Sequence, residues 1–466
     1  MASLSFEEAA HLLRRAGCGG PPQEIEDLMS RGREGAVDYL INFNQIDNSA
    51  MDSLLASSFN FSTQDGITNG EIRRWWFTRL VATRRQFEEK MTLFWHNHFA
   101  TSSSKVQDVF MLGQNVLLRG NGFARFDDLL LRVSQDPAML IWLDNITNTA
   151  GRPNENFGRE LLELFTMGIN DVVTGDQNYT EQDVKEVARA FTGWNYVRRA
   201  PFAFQLNANQ HDNGTKTIFG QQANFSGEDV ITIVSARPAT ARYLTWKLFN
   251  FFVYPVTNSS ADRATIEKFS KVYLNNNHSI KELVRAIFTS DEYFSERAFF
   301  SLVKQPAELV VGAIRMLGGS YNPGTNARGS NTLAQLSRNM GQDLFGPPDV
   351  AGWDFNLGWV NTASMLERFN FANTYLSNRN TSNPGIFVTN DQLKSITKPS
   401  SKKTVKKFLS RLGPLTAGNA IGTLRGYLET GDNGQPVTYV NDDATVDKKI
   451  RGLVHQIMCL PEFQLN

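Results

Sequence analysis

Apolar positions recur at intervals of three and four along most of the chain, the spacing that gathers them on one face of a helix. Ser5 followed by Glu8 has the form of a capping box, Leu12 and Leu13 supply an apolar face, and Gly17 ends this first helix. Pro21 and Pro22 open a second helix through Ile25 and Leu28, and 36–41 form a third. The stretch 71–99 carries Trp75, Trp76, Leu80, Phe87, Met91, Leu93, Phe94 and Trp95 at helical spacings, which predicts two helices meeting at 83–85. A Pro153-led helix runs through Leu161, Leu162 and Leu164 to Gly168, and another, capped by Thr180 with Asp183, runs to Gly193. The period then changes. Over 196–224 the chain is rich in Asn, Gln, Gly and Phe, and the alternation of Phe202, Phe204 and Leu206 predicts a strand with a return at 217–219. Helical spacing resumes at 228–234, 238–252, 263–273, 280–289 and 306–317. The segment 318–330 reads as a loop and 333–340 as a helix. Residues 377–403 read as a polar connector before helices at 404–412 and 446–458. The fold class is therefore mainly α: a large multi-helix body (1–376) with a small β excursion, a connector, and a helical tail domain (404–466).

Composition narrows the function classes. The 466 residues balance 47 Lys and Arg against 47 Asp and Glu, so no global charge points to nucleic acid or an anionic membrane. Two cysteines, Cys18 and Cys459, exclude a disulfide scaffold and a four-thiolate zinc site. No run of about 18 apolar residues predicts a spanning helix. The first residues lack the basic stretch and apolar run of an export signal, so the expectation is either a soluble cytosolic protein or one from which such a signal has been removed. There is no phosphate loop, nucleophile elbow, paired-histidine zinc helix or dinucleotide fingerprint.

Three stretches carry residues capable of chemistry. Trp95-His96-Asn97-His98-Phe99 places two histidines two apart, so on a regular helix they diverge by about 200°, and they share a metal only if the helix ends or kinks there. The other reading is a pair of core histidines satisfied by backbone carbonyls. In 154–164, Glu160 and Glu163 lie one turn apart on a helix otherwise apolar. Such carboxylates require a metal, an arginine such as Arg159, or one another with one raised pKa. His211-Asp212, in an Asx-rich turn, fits a metal ligand with an acid/base group, or simply a turn. Glu8-x-x-His11 has the spacing of a two-iron helix, but no second copy exists and the cap already explains Glu8.

These motifs resemble, in order along nearly the whole chain, a bacterial family known as domain of unknown function 1800. The matching stretches are 11–17, 94–99, 153–164, 180–194, His211-Asp212 with Lys216 and Gly220, 238–242, 346–353 and 461–464. The resemblance implies a large bacterial protein, often exported, often encoded beside a member of domain of unknown function 1501, which resembles the alkaline phosphatase and sulfatase fold. That second protein is the expected partner. Arg237 departs from the pattern, since similar sequences commonly have a histidine there.

Two functional expectations follow. In the first, His96, His98 and His211 hold a divalent metal (Zn, Mn or Fe), with Glu160, Glu163 and Asp212 as catalytic carboxylates, and hydrolysis is the favoured reaction. In the second, the chain is a non-catalytic structural or interaction protein at the bacterial surface. It would bind another protein or a glycan through exposed Trp353, Trp359 and Tyr196.

Overall fold

Local signals set the helix starts. Ser5, Thr68, Thr180, Ser226 and Thr389 each accept from the backbone of the residue three on, and the side chain at that position answers the cap's own N–H. The computed structural model describes residues 3–61, 66–324, 332–379, 385–413 and 420–466. The first half comprises α1 (Phe6–Arg15), α2 (Pro22–Ile41), α3 (Ser49–Ser58), α4 (Asn69–Ala82), α5 (Gln86–His98), α6 (Asp108–Asn121), α7 (Phe126–Ser134), α8 (Pro137–Trp142) and α9 (Asn156–Glu160). The last of these runs into a π turn, Leu161–Thr166. After α10 (Glu181–Ala190) come two hairpins, β1 (Trp194–Tyr196) with β2 (Phe204–Leu206), and β3 (Lys216–Ile218) with β4 (Gln221–Ala223). Then follow α11 (Gly227–Ser235), α12 (Pro238–Phe252), α13 (Ser260–Asn275), α14 (Ile280–Thr289) and α15 (Pro306–Leu317). The chain closes with β5 (Ser320–Asn322), α16 (Leu333–Asn339), α17 (Thr362–Ser377), β6 (Gly385–Phe387), α18 (Asn390–Ile396), α19 (Ser401–Leu412), α20 (Ala420–Leu428), α21 (Asp443–Thr445) and α22 (Arg451–Met458).

The protein is mainly α, as its periodicity indicates. The expected break inside 22–41 is Gly32, whose φ of 68° interrupts α2. The β region differs from expectation. Phe204–Leu206 returns on Trp194–Tyr196 rather than on 217–219. The second hairpin closes on itself through Phe219-Gly220, both at positive φ, a two-residue turn that pairs only the strands beside it. Part of the stretch 318–330 is strand β5, paired with β6 some sixty residues on, a partner no local pattern announces; 325–330 of that loop and 380–384 of the connector lie outside the described residues.

The core centres on α5, where every residue from Gln86 to His98 except Glu88 is buried. A helix enclosed on all sides must satisfy its polar groups internally. Glu89 does so by accepting from Arg79 Nε at 2.7 Å, Arg119 Nε at 2.8 Å and Trp76 Nε1 at 2.9 Å. Burial alone would raise this carboxyl, but the two guanidiniums bring it down to about 2. Leu409, Leu412, Leu453 and Val454 of the tail belong to the same continuous core as Leu12 and Val310. Arg451 fastens the tail further, donating to the carbonyls of Leu376 at 2.7 Å and Val388 at 2.9 Å.

Candidate functional site

The helix α5 runs unbroken to His98, so His96 and His98 diverge. His96 Nε2 accepts from the Phe345 N–H at 3.1 Å, with its ring centre 5.0 Å from Trp76 and 5.5 Å from Trp353. His98 turns the other way, and its Nε2 donates to the Phe165 carbonyl at 3.0 Å amid Phe94, Trp95 and Phe99. Burial lowers both imidazoles to about 3, so both are neutral at physiological pH. Between them, Asn97 accepts from the Trp353 N–H at 2.7 Å and donates to the Trp353 carbonyl at 3.3 Å. The tripeptide thus holds the 345–353 loop on one side and the π turn on the other.

The carboxylates lie at the start of the π turn, Glu160 ending α9 and Glu163 within the turn. Its wider winding gives i to i+5 hydrogen bonds, as from Met167 N–H to the Leu162 carbonyl at 3.0 Å. Thr166 Oγ1 donates to the Leu161 carbonyl at 2.6 Å, bracing the turn from its side chain. Arg159, the expected partner of Glu160, faces away and binds Glu181 through two hydrogen bonds of 2.8 Å, with Glu155 at 3.3 Å. Glu163 accepts from Tyr179 Oη at 3.2 Å. Among the described residues Glu160 has neither a hydrogen bond nor an ion pair. Partial burial, then the charge of Glu163, raises its carboxyl above the ordinary glutamate range.

Facing this turn is α12. Tyr243 and Lys247 stand one helical turn apart on it. Burial, then the Glu163 charge, raises the Tyr243 phenol. Lys247 is 9% exposed and has no carboxylate partner among the described residues; its Nζ lies 5.5 Å from the Tyr243 ring centre and 5.3 Å from that of Phe355. Burial lowers this ammonium to about 8, and its charge in turn contributes to keeping His98 neutral.

His211 and Asp212 stand in a different setting. His211 Nδ1 donates to the Thr192 carbonyl at 2.8 Å. Asp212 accepts from Arg189 at 2.7 and 3.2 Å and from the Gly214 N–H at 2.8 Å. Lys216 Nζ donates to the carbonyls of Asp212 at 2.6 Å and Gly214 at 3.1 Å, closing the turn before β3. No hydrogen bond or ion pair among the described residues joins this turn to Glu160, Glu163, His96 or His98. Arg237 stacks 4.2 Å from the Phe219 ring centre. Cys18 and Cys459 are both free thiols.

The expected metal ligands are not gathered in one place, and one expectation, the exposed aromatic anchors, needs correction. Among the described residues no group of three or more His, Cys, Asp and Glu side chains could hold a metal ion. The pair His96 and His98 is committed in opposite directions because the helix does not kink between them. Trp353, Trp359 and Tyr196 are not exposed anchors, being 6%, 5% and 7% exposed. The two tryptophans pack with Val303 in a small cluster of their own, and Tyr196 packs against the edge of Phe110. What periodicity and motif left unmarked is the α12 pair, Tyr243 and Lys247. Its signal was a lysine set among Leu244, Trp246, Leu248 and Phe249.

The fold and site define a mainly helical protein with a carboxylate pair where a helix passes into a π turn, facing a tyrosine and lysine one turn apart. Residues 11–465 match the family model described as a protein of unknown function, DUF1800, and the chain belongs to that family. No curated protein and no solved structure matches it. No helix among the described residues is long and apolar enough to cross a membrane.

Proposed function

We propose that the chain is an enzyme using the Glu160 and Glu163 pair for acid and base catalysis, with hydrolysis the favoured reaction. The observation that carries this reading is Glu160 itself: a partly buried carboxyl with no hydrogen bond or ion pair, raised above its ordinary range beside a second carboxylate. Glu89, Asp212 and Asp262, by contrast, are each paired with an arginine. Environments that push two neighbouring carboxyls apart assign one as acid and the other as base. In the hydrolytic step Glu163, oriented by Tyr179, takes a proton from water as its oxygen attacks the scissile centre. Glu160 gives its proton to the departing group, so one proton enters and one leaves the pair. His98 holds the Phe165 carbonyl and so positions the turn. The donor set does not fit the expected divalent metal, because His96 and His98 are bound to opposite elements.

The test is a panel of chromogenic esters, phosphate esters and glycosides, assayed with the wild type, Glu160→Gln and Glu163→Gln. The expected result is turnover of one class, reduced about 100-fold or more in each variant at unchanged thermal stability, the usual scale for losing a general acid or base. Turnover that survives both substitutions overturns the reading.

A further inference from the structure

Lys247 is the buried cation that the acid and base chemistry leaves unused. Lys90 pairs with Glu308, Arg119 with Glu89, and Lys304 donates to the Phe463 carbonyl at 2.5 Å, whereas Arg14, like Lys247, meets a ring face, that of Phe300. Lys247 has only ring faces, those of Tyr243 and Phe355. Rings lower the cost of enclosing an ammonium, but they supply neither counter-charge nor hydrogen-bond acceptor, and an uncompensated buried charge is costly. The groups around it do not fill that place. His98, whose imidazole feels the Lys247 charge, is neutral and turned to Phe165. Phe355 covers the lysine from the loop that Asn97 fastens at Trp353, so one wall of this place belongs to an element held by the family-like motif.

We propose that Lys247 receives an oxyanion of the substrate, so that the chain acts on compounds bearing a carboxylate or a phosphate near the bond that Glu160 and Glu163 cleave. A cationic substrate would meet repulsion there, and a neutral one would leave the ammonium without a counter-charge on binding. The substrate assignment rests on the carboxylate-pair reading, whereas anion capture by Lys247 stands on its own geometry.

The experiment is lysine labelling of the full chain with trinitrobenzenesulfonate at pH 7.5, where the Lys247 ammonium is retained, read at each lysine by peptide mass spectrometry, with inorganic phosphate or acetate added. The expected result is a saturable fall of about tenfold in labelling of Lys247, with exposed lysines such as Lys402 unaffected at the same ionic strength. Protection by phosphate alone assigns a phosphate-bearing substrate, protection by acetate alone a carboxylate, and protection by both an oxyanion of either kind. Protection by neither overturns the proposal. In parallel, the protecting anion raises the melting temperature of the wild type and of Lys247→Arg but not of Lys247→Met. Repeating the labelling in Glu160→Gln separates the two ideas, since protection persists there even if the catalytic reading fails.

Discussion

At the scale of single residues, the histidine-rich motif works through what its side chains hold rather than through what they could ligate. Asn97 presents an amide edge to the backbone of Trp353, as a neighbouring strand would. Gly352, at a φ of 85°, lies so close that a Cβ there would run into Asn97 Oδ1 and stand 2.5 Å from the Asn97 carbonyl oxygen. Replacing Gly352 by Ala combines backbone strain with that collision and is expected to cost about 3 kcal/mol in urea unfolding. Asn97→Ala removes both hydrogen bonds to Trp353 and is expected to cost about 2–3 kcal/mol. Since the two residues touch, the double variant should lose less than the sum, and strict additivity would show that they act separately.

At the scale of elements, the π turn is the departure that matters. The sequence predicts one helix from Pro153 to Gly168, but the helix begins at Asn156 and widens after Glu160. Apolar spacing locates a helix and its buried face. It does not register a change from i+4 to i+5 bonding, because Leu161, Leu162 and Phe165 are buried in either winding. The capping boxes at Ser5 and Thr180 were legible because their partners lie three residues away. The β5 and β6 pair and the Tyr243 and Lys247 face were not, because their meaning comes from partners distant in the chain. The carboxylate pair could be read from its spacing, whereas the loss of Arg159 to Glu181 could not. Thr166 supplies a test of the widened turn. Thr166→Val keeps the shape but leaves the Leu161 carbonyl without its hydroxyl donor, an expected cost of about 1–2 kcal/mol by chemical denaturation. The same substitution should weaken the placement of Glu163 on Tyr179.

At the scale of the whole molecule, one core and several buried neutral imidazoles govern the response to acid. His96 titrates near 3 in the folded protein, against about 6.5 when unfolded, so the unfolded chain takes up the proton first. Its contribution is therefore fully present above pH 6.5 and is lost as pH falls towards 3, by up to about 1.4 kcal/mol per pH unit. His98 acts in the same direction, and Asp136, which burial raises to about 7, acts in the opposite one. His96→Phe adds a constant penalty for the unanswered Phe345 N–H but removes one proton from this linkage. Between pH 6 and 4 its unfolding free energy should fall less steeply than that of the wild type by about 1.4 kcal/mol per unit, and equal slopes would place His96 in a charged setting. Because Arg451 and the apolar side chains of 404–466 share the body's core, the chain should unfold in a single transition.

The central claim is that Glu160 holds its proton above the ordinary glutamate range because it is partly buried beside Glu163. A carbon-13 titration of the glutamate carboxyls by NMR measures this directly, with Glu160 assigned as the resonance missing from Glu160→Gln. The expected midpoint lies above the ordinary value of about 4.3 and moves down when Glu163 is replaced by Gln. A Glu160 that titrates in the ordinary range and is unmoved by Glu163→Gln would contradict it.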